Sequence, residues 1–224
     1  MSENAEFDYQ WQNLSDPVIE YTEERVRELL RYTNLPPEFF TGKRCLDAGC
    51  GNGRYTYALQ SLGGFVDSID LSPAAIAACR RINPSATVRD LLTLTPNPTY
   101  DFVLSWGVLH HTPVPKTAFL RVASQVRPGG ALHVMMYRRG TQGVYTPGRR
   151  LWPYLPTPAR HILCRAHKAV FGGTVHGWWD ALNPRYNFSY SLNEVIQWFT
   201  EAGFKVTHAD DQESINVCGC LRSD

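Results

Sequence analysis

Three glycines stand where a strand-like run of residues gives way to a helix-like one. The stretch LDAGCGNGRYTYAL, residues 46–59, places Gly49, Gly51 and Gly53 after apolar residues, with Asp47 just before them. Glycines at such a junction allow a tight turn and a close approach of a ligand to the backbone. The spacing therefore predicts a ligand-binding turn that opens a helix.

The charge around this turn separates two ligand classes. A nicotinamide or flavin dinucleotide places its pyrophosphate at the helix N-terminus, where the carboxylate of Asp47 would repel it. S-adenosylmethionine carries a sulfonium and an ammonium group and no phosphate, so an acid at the strand end suits it. The dinucleotide pattern GxGxxG would also require glycine at the position of Arg54. These residues favour S-adenosylmethionine.

Two further acids end the next two predicted strands. Asp70 ends the run FVDSID, where a carboxylate is placed to accept hydrogen bonds from both ribose hydroxyls. Asp90 ends the run ATVRD, where it is placed to accept a hydrogen bond from the adenine amino group. In a parallel sheet these acids and Asp47 would meet at the carboxyl edge, where open α/β folds bind ligands.

Short apolar runs alternate with helix-length segments from Lys43 to Tyr137, which predicts a doubly wound parallel sheet. The predicted strands are RCLDAG, FVDSID, ATVRD, YDFVLSWG and GALHVMMY, and the helices between them are residues 54–62, a helix opened by Ser72 and Pro73, and residues 116–127. The last two runs, FKVTHAD and SINVCGCL, are close enough in sequence to form an antiparallel pair at the sheet edge.

Three helices are predicted outside this alternation. Residues 16–31 form an amphipathic helix with Asp16 as N-cap, and Ser191 and Glu194 have the spacing of a capping box for a helix that Gly203 ends. Between them, Thr157 and Pro158 open a helix that Gly172 closes. Its predicted apolar face consists of Ile162, Leu163, Ala166 and Val170, and its cations Arg160, Arg165 and Lys168 lie away from or beside that face.

Together these motifs resemble the class I S-adenosylmethionine-dependent methyltransferases. The resemblance rests on LDAGCGNG, VDSIDLS, VRDLL, YDFVLSWGVLHHTPVP and VRPGGALHV, and it covers residues 43–137 well and 189–220 more loosely. It implies a Rossmann-like seven-stranded sheet with an antiparallel last strand, S-adenosyl-L-methionine as donor and S-adenosyl-L-homocysteine as product. By position it assigns Asp47, Gly49, Gly51 and Gly53 to the methionine part, Arg54 to the methionine carboxylate, Asp70 and Leu71 to the ribose, Asp90 and Leu91 to the adenine, and the backbone around Ser105 and Trp106 to the sulfonium.

The chain accordingly divides into four expected segments. These are an N-terminal helical cap at 1–42, a cofactor-binding Rossmann-like core at 43–137, an α-rich lid insertion at 138–190, and a C-terminal helix with a hairpin at 191–224. The acceptor site is expected between the carboxyl edge of the sheet, the N-terminal segment and the insertion.

His110 and His111, in VLHHTP beyond the fourth predicted strand, are the candidate catalytic residues. A methyl group on a sulfonium is already activated, so alignment is the main task, and a general base matters most when the acceptor is a hydroxyl or a carbon acid. Imidazole titrates near neutral pH, which suits this role. The alternative for either histidine is packing under the loop or a hydrogen bond to the backbone.

The aromatic segment HGWWDALNPRYNFSY, residues 176–190, is the predicted acceptor-binding region. Its rings, Trp178, Trp179, Tyr186 and Tyr190, would stack on a substrate ring, and His176, Asp180 and Arg185 would supply polar contacts. The alternative is a hydrophobic plug that holds the insertion to the sheet. The basic helix before it leaves open a lipid-linked acceptor and peripheral contact with a membrane. RNA also remains an alternative acceptor, without a recognised RNA-binding module.

Composition and missing motifs narrow the function further. The chain has 224 residues, 43% of them apolar, and a net charge of +1, so it can bury a core and has no chain-wide charge bias. The six cysteines show no zinc spacing, and the N-terminus lacks the pattern of a signal peptide, which predicts reduced thiols and a cytoplasmic protein. SWGV replaces the Asn-Pro-Pro-aromatic motif of many nucleic-acid methyltransferases, and the acidic ligands of a catechol-type magnesium enzyme are missing, so neither DNA nor a metal is expected.

The sequence therefore predicts a methyltransferase, monomeric or homodimeric, that acts on a small molecule of a secondary-metabolite or glycan pathway. Oxygen is favoured over nitrogen or carbon as the acceptor atom. An NAD-dependent dehydrogenase and a non-catalytic S-adenosylmethionine-binding protein are the alternatives.

Overall fold

A computed structural model of the chain describes residues 5–14, 21–140 and 152–223. These residues contain a seven-stranded sheet in the order β3-β2-β1-β4-β5-β7-β6. Its strands are β1 (Arg44–Ala48), β2 (Phe65–Asp70), β3 (Thr87–Val88), β4 (Tyr100–Trp106), β5 (Val126–Met136), β6 (Phe204–Asp210) and β7 (Ile215–Leu221). Strands β1 to β5 are parallel, and β7 runs antiparallel to both β5 and β6. The predicted Rossmann-like sheet with an antiparallel last strand is confirmed.

Helices connect and cover these strands. They are α1 (Ala5–Asn13), α2 (Glu23–Thr33), α3 (Arg54–Ser61), α4 (Pro73–Cys79), α5 (Pro115–Ala123), α6 (Thr157–Phe171), α7 (Val175–Leu182) and α8 (Leu192–Glu201). Successive residues of β4 belong to different hydrophobic cores, because side chains alternate across a strand. Val103 packs in one core, whereas Phe102 and Leu104 pack in the other.

Side-chain caps begin two of the helices as the sequence predicts. Ser72 accepts a hydrogen bond from the Ala75 amide at 3.1 Å and starts α4. At α8, Ser191 and Glu194 form a reciprocal capping box. Such caps satisfy amides that have no partner within the helix.

Among the element boundaries that differ from the prediction, three have a local structural cause. Helix α2 begins at Glu23, because Thr22 is extended, and the predicted start at Asp16 and Pro17 lies outside the described residues. Helix α5 ends at Ala123 and not at residue 127, because Val126 already pairs with β4 as the first residue of β5. Strand β3 has two residues, because Asp90 turns the chain by accepting a hydrogen bond from the Leu92 amide.

Helix α6 also turns a different face inward than predicted. Ile162 and Val170 are 67% and 73% exposed, and Ala166 is exposed too. The buried residues are Cys164 and Arg160, whose guanidinium donates to the Leu155 carbonyl at 2.8 Å and to the Asn183 side chain at 3.4 Å. These hydrogen bonds allow a cation to take the inner face, and of the predicted apolar face Leu163 packs against the neighbouring core while the other three residues are exposed.

Candidate active site

A cavity of about 300 Å³ lies at the carboxyl edge of the parallel strands. Its walls include the turn after β1, the residues at or just after the ends of β2 to β5, and side chains of α1 and α7. This is the edge at which open α/β sheets bind ligands, since the strand order reverses there beside β1. Of the three predicted acids, Asp70 and Asp90 line this cavity.

The glycine turn satisfies its own backbone amides. Gly49 and Cys50 donate to the Ile69 carbonyl at 2.8 and 3.0 Å, and Gly53 donates to the Cys50 carbonyl at 2.9 Å. The Gly51 amide donates to Oδ2 of Asp70 at 2.9 Å. A pyrophosphate at a helix N-terminus depends on such amides as donors. Because these four are already used, the turn offers few donors to an anion.

Two of the glycines leave space that other side chains occupy. Gly49 has φ +89°, and a Cβ there would lie 2.3 Å from a methyl carbon of Val108. Gly51 has φ +55°, and a Cβ there would lie 2.5 Å from the ring of Trp11. Both glycines line the cavity, whereas Gly53 does not and packs against Cys79 of α4.

Asp47 lies beneath the turn and does not line the cavity. It is 1% exposed, and the Thr56 hydroxyl donates to it at 2.7 Å. Burial raises the pKa of Asp47 to about 7, and the hydrogen bond from Thr56 only partly opposes this. Asp47 lies near the end of β1 as predicted, but its side chain does not reach the cavity.

We expect Asp47 to make stability depend on pH. The unfolded carboxyl releases its proton near pH 3.8 and the folded one near pH 7, so the folded state binds more protons between these values. Stability must then fall as pH rises through this window, by roughly 3 to 5 kcal/mol in all, and Asp47→Asn removes the effect. Urea unfolding of both proteins from pH 4 to pH 8 measures it. Parallel curves for the two proteins would contradict the assignment.

The other predicted cofactor residues mostly line the cavity. Asp70 accepts from the Ser72 amide at 2.8 Å as well as from Gly51, and burial raises its pKa against these hydrogen bonds. The lining includes Arg54, Asp70, Leu71, Asp90, Leu91 and Trp106. Ser105 is fully buried and donates to the Ala48 carbonyl at 3.1 Å, so it does not belong to the lining.

At the other end of the cavity, three side chains converge on one carboxylate. Tyr137 donates its hydroxyl hydrogen to Oδ2 of Asp180, and Nε2 of His111 lies 3.5 Å from the same oxygen. Nδ1 of His111 lies 3.0 Å from the Tyr186 carbonyl, and since a carbonyl only accepts, Nδ1 carries a hydrogen. In neutral His111 the lone pair is therefore on Nε2, on the side of Asp180.

The charges of this cluster favour an ionised Asp180. Burial alone would raise the pKa of Asp180, but His111, when protonated, opposes this through its charge and its Nε2–H, and with the hydrogen bond from Tyr137 it holds the pKa of Asp180 well below the usual value. His110 differs from its neighbour, because it is fully buried, its ring nitrogens have no hydrogen-bond partner, and it does not line the cavity. Burial holds the pKa of His110 well below its usual value. Of the two predicted catalytic histidines, His111 lines the cavity that the described residues form, and His110 does not.

The predicted acceptor residues separate into two groups. His176 and Asp180 line the cavity from α7. Trp179 is 1% exposed and stacks on Tyr9 at 4.7 Å, in the small core beneath α6. The remaining four predicted residues also lie outside the cavity lining. Trp178 packs on Phe171, and Tyr190 packs on Trp198. The guanidinium of Arg185 lies over the ring of Tyr186, and Tyr186 contacts His111 through its backbone carbonyl.

Helix α1 supplies residues that the motifs did not indicate. Phe7, Gln10 and Trp11 line the cavity, with the ring of Phe7 5.8 Å from that of His111. The Gln10 amide nitrogen lies 2.8 Å from Nε2 of His176. The sequence signal for these three residues was the aromatic run FDYQW, residues 7–11. Tyr137, also missed, directly follows β5, where the rule used for Asp70 and Asp90 could have found it.

Neither a metal cluster nor a membrane-spanning helix is found in the part of the chain that the structure describes. Within ranges 5–14, 21–140 and 152–223, no group of three His, Cys, Asp or Glu side chains is arranged to hold a metal ion. In the same part of the chain, no helix has the length and apolar character needed to cross a membrane.

The sheet order, the reversed β7 and the cavity over the glycine turn define a class I methyltransferase fold. The chain belongs to the methyltransferase domain family, whose sequence profile matches residues 18–209. The resemblance noted from the motifs is thereby confirmed over most of the chain.

Known relatives share parts of this chain or its fold. A ubiquinone biosynthesis O-methyltransferase of Xanthomonas campestris pv. campestris (strain B100) is 32% identical over 107 residues, which are 44% of this chain and 44% of that protein. The match thus spans less than half the length of this curated relative.

Among solved structures, the similarity extends over nearly the whole chain. Magnesium protoporphyrin IX methyltransferase from Synechocystis PCC 6803 with bound S-adenosylhomocysteine has a TM-score of 0.62 at 15% identity, covering 98% of this chain and 96% of that one. Burkholderia thailandensis 1,6-didemethyltoxoflavin-N1-methyltransferase has a TM-score of 0.56 at 16% identity, covering 89% and 77%. At these identities the comparison establishes the fold alone.

Proposed function

We propose that this chain transfers the methyl group of S-adenosylmethionine to a hydroxyl oxygen of a small-molecule acceptor. The observation that carries the proposal is one continuous cavity, with the glycine turn and two acids at one end and the His111–Asp180 pair at the other. A donor and an acceptor must lie side by side for direct transfer. A single cavity with two chemically different ends meets this requirement.

The donor end suits a cationic nucleoside better than a dinucleotide. Asp70 and Asp90 offer carboxylates where a nucleoside needs acceptors for its ribose hydroxyls and adenine amino group. The turn amides are used within the protein, which disfavours a pyrophosphate. S-adenosylmethionine, when bound, supplies a methyl group activated by its sulfonium.

The acceptor end suits an O–H group. An acceptor hydroxyl that donates a hydrogen bond to ionised Asp180 lies beside Nε2 of His111, the atom that bears the lone pair. As the acceptor oxygen attacks the methyl group, its proton is transferred to the His111–Asp180 pair and ends on Nε2 of His111. The imidazolium then lies between Asp180 and the Tyr186 carbonyl, both of which stabilise it.

Oxygen is proposed as the acceptor atom because of the His111–Asp180 pair and because of the similarity to one relative. An unprotonated amine attacks a methyl sulfonium without help, whereas a hydroxyl gains from a general base. The relative from Xanthomonas campestris is named as an O-methyltransferase, which agrees with oxygen as the acceptor atom. The cavity walls include apolar and aromatic side chains, with Phe7, Trp11, Val108 and Met135 among them, which suits a small organic molecule.

Calorimetry on the purified chain tests the donor assignment. We expect S-adenosylhomocysteine to bind and NAD not to bind. Asp70→Ala should weaken the binding of S-adenosylhomocysteine by about 5- to 150-fold, since a hydrogen bond to a charged acceptor contributes about 1 to 3 kcal/mol. The matched control is Asp67→Ala, an acid on the same strand whose side chain contacts Arg44 and Tyr100 away from the cavity. Tight NAD binding, or equal effects of the two variants, would overturn the assignment.

A further inference from the structure

Helix α6 presents an apolar stripe to solvent. Ile162, Ala166, Ala169 and Val170, here called the apolar stripe, follow one side of the helix at intervals of three, four and eight residues. Ile162 is 67% and Val170 is 73% exposed. Two aromatic side chains near the ends of the helix are also exposed, Tyr154 to 85% and Phe171 to 70%.

Cations flank the apolar stripe on one side. Arg165 and Lys168 are exposed, and with His161 they line a recess between α6 and Asn13 of α1. The sequence around them has a strong charge bias, because residues 138–179 contain seven Lys and Arg residues and no Asp or Glu. The surface thus joins exposed apolar side chains to a recess that suits a phosphate group.

We propose that helix α6 binds the surface of a membrane that contains anionic phospholipids. The apolar stripe would enter the boundary between headgroups and acyl chains, and the basic recess would face the lipid phosphates. Helices with an apolar face and Lys or Arg beside it lie in this plane of a bilayer. The exposed Tyr154 just before the helix agrees with this depth, because tyrosine is enriched at membrane interfaces.

A membrane fits this surface better than a protein partner. A stable protein interface buries about 800 Å² on each partner and is closely complementary in shape. The apolar stripe is a narrow line of four side chains, two of them alanine, on a convex helix. No residue of α6 lines the active-site cavity, so this surface is independent of the proposed reaction.

Flotation of the full chain with lipid vesicles tests the proposal. We expect the chain to float with vesicles of phosphatidylcholine and phosphatidylglycerol and not with phosphatidylcholine alone, and we expect added salt to release it. The double variant Arg165→Glu and Lys168→Glu should weaken binding by at least about tenfold, because each basic residue near an anionic surface contributes about a factor of five. Ile162→Asp with Val170→Asp should also abolish flotation.

Two variants outside α6 serve as matched controls. Arg121→Glu and Leu120→Asp make the corresponding changes of charge and polarity at exposed positions of α5 and should leave flotation unchanged. Circular dichroism and binding of S-adenosylhomocysteine report on folding in each variant. The proposal is overturned if the chain fails to float with the anionic vesicles, if it floats equally with both lipids, or if the α6 and α5 variants behave alike. A folded chain that instead forms a dimer through α6 would also overturn it.

Discussion

His111→Ala and Asp180→Asn should each lower kcat by about 10²- to 10⁴-fold while leaving the affinity for S-adenosylhomocysteine unchanged. This is the range over which a positioned general base accelerates proton transfer. Both residues act on one proton, because Nε2 of His111 and Oδ2 of Asp180 are 3.5 Å apart. The double variant should therefore lose little more than either single variant. Formation of S-adenosylhomocysteine is measured with the acceptor that the wild type methylates best among phenols, alcohols and amines.

His208→Ala is the matched control for this pair. His208 lies on β6, away from the cavity lining, and its loss should leave kcat unchanged. Multiplicative losses in the double variant would show that His111 and Asp180 act separately. Full activity of both single variants would mean that the acceptor needs no base from this pair, as expected of an amine.

Gly49→Ala should weaken the binding of S-adenosylhomocysteine at least tenfold and lower the free energy of unfolding by roughly 2 to 5 kcal/mol. The left-handed backbone at φ +89° disfavours any Cβ by about 1 to 2 kcal/mol. The added methyl would also lie 2.3 Å from Val108, and such overpacking costs about 1 to 3 kcal/mol. Because Gly49 and Val108 both line the cavity, any movement that relieves the clash between the added methyl and Val108 must change the shape of the donor end. Calorimetry and urea unfolding measure the two effects.

Gly42→Ala separates backbone strain from this steric clash. Gly42 has φ +71°, but a Cβ there would meet no atom within 4 Å. We expect this variant to lose part of the stability and to keep its affinity for S-adenosylhomocysteine. If both variants lost affinity to a similar extent, the loss would come from lower overall stability and not from a change in the glycine turn.

The donor end could be predicted from the sequence because its determinants are local. A glycine turn, a strand end and an acid follow one another in the chain, and the parallel sheet brings Asp70 and Asp90 to one edge once the strands are recognised. The seven strands and the antiparallel last strand followed from the family resemblance and are confirmed. Binding roles of the individual residues stay predictions.

The acceptor end could not be predicted in the same way, because long-range packing builds it. Gln10 and His176 are 166 residues apart in sequence, and no local pattern shows that they meet. The rings of the aromatic segment resembled a binding surface, yet Trp179 packs against α1 and α6 in a small core outside the cavity lining. The inner face of α6 was misjudged because buried Arg160 is satisfied by hydrogen bonds that the sequence does not reveal.

Helix α1 links the two ends of the cavity mechanically. Trp11 packs on Gly51 at the donor end and Phe7 on His111 at the acceptor end, one helical turn away. A ligand that stabilises α1 at either end therefore favours the arrangement required at the other, and this coupling must be reciprocal. Donor and acceptor should therefore bind with positive cooperativity.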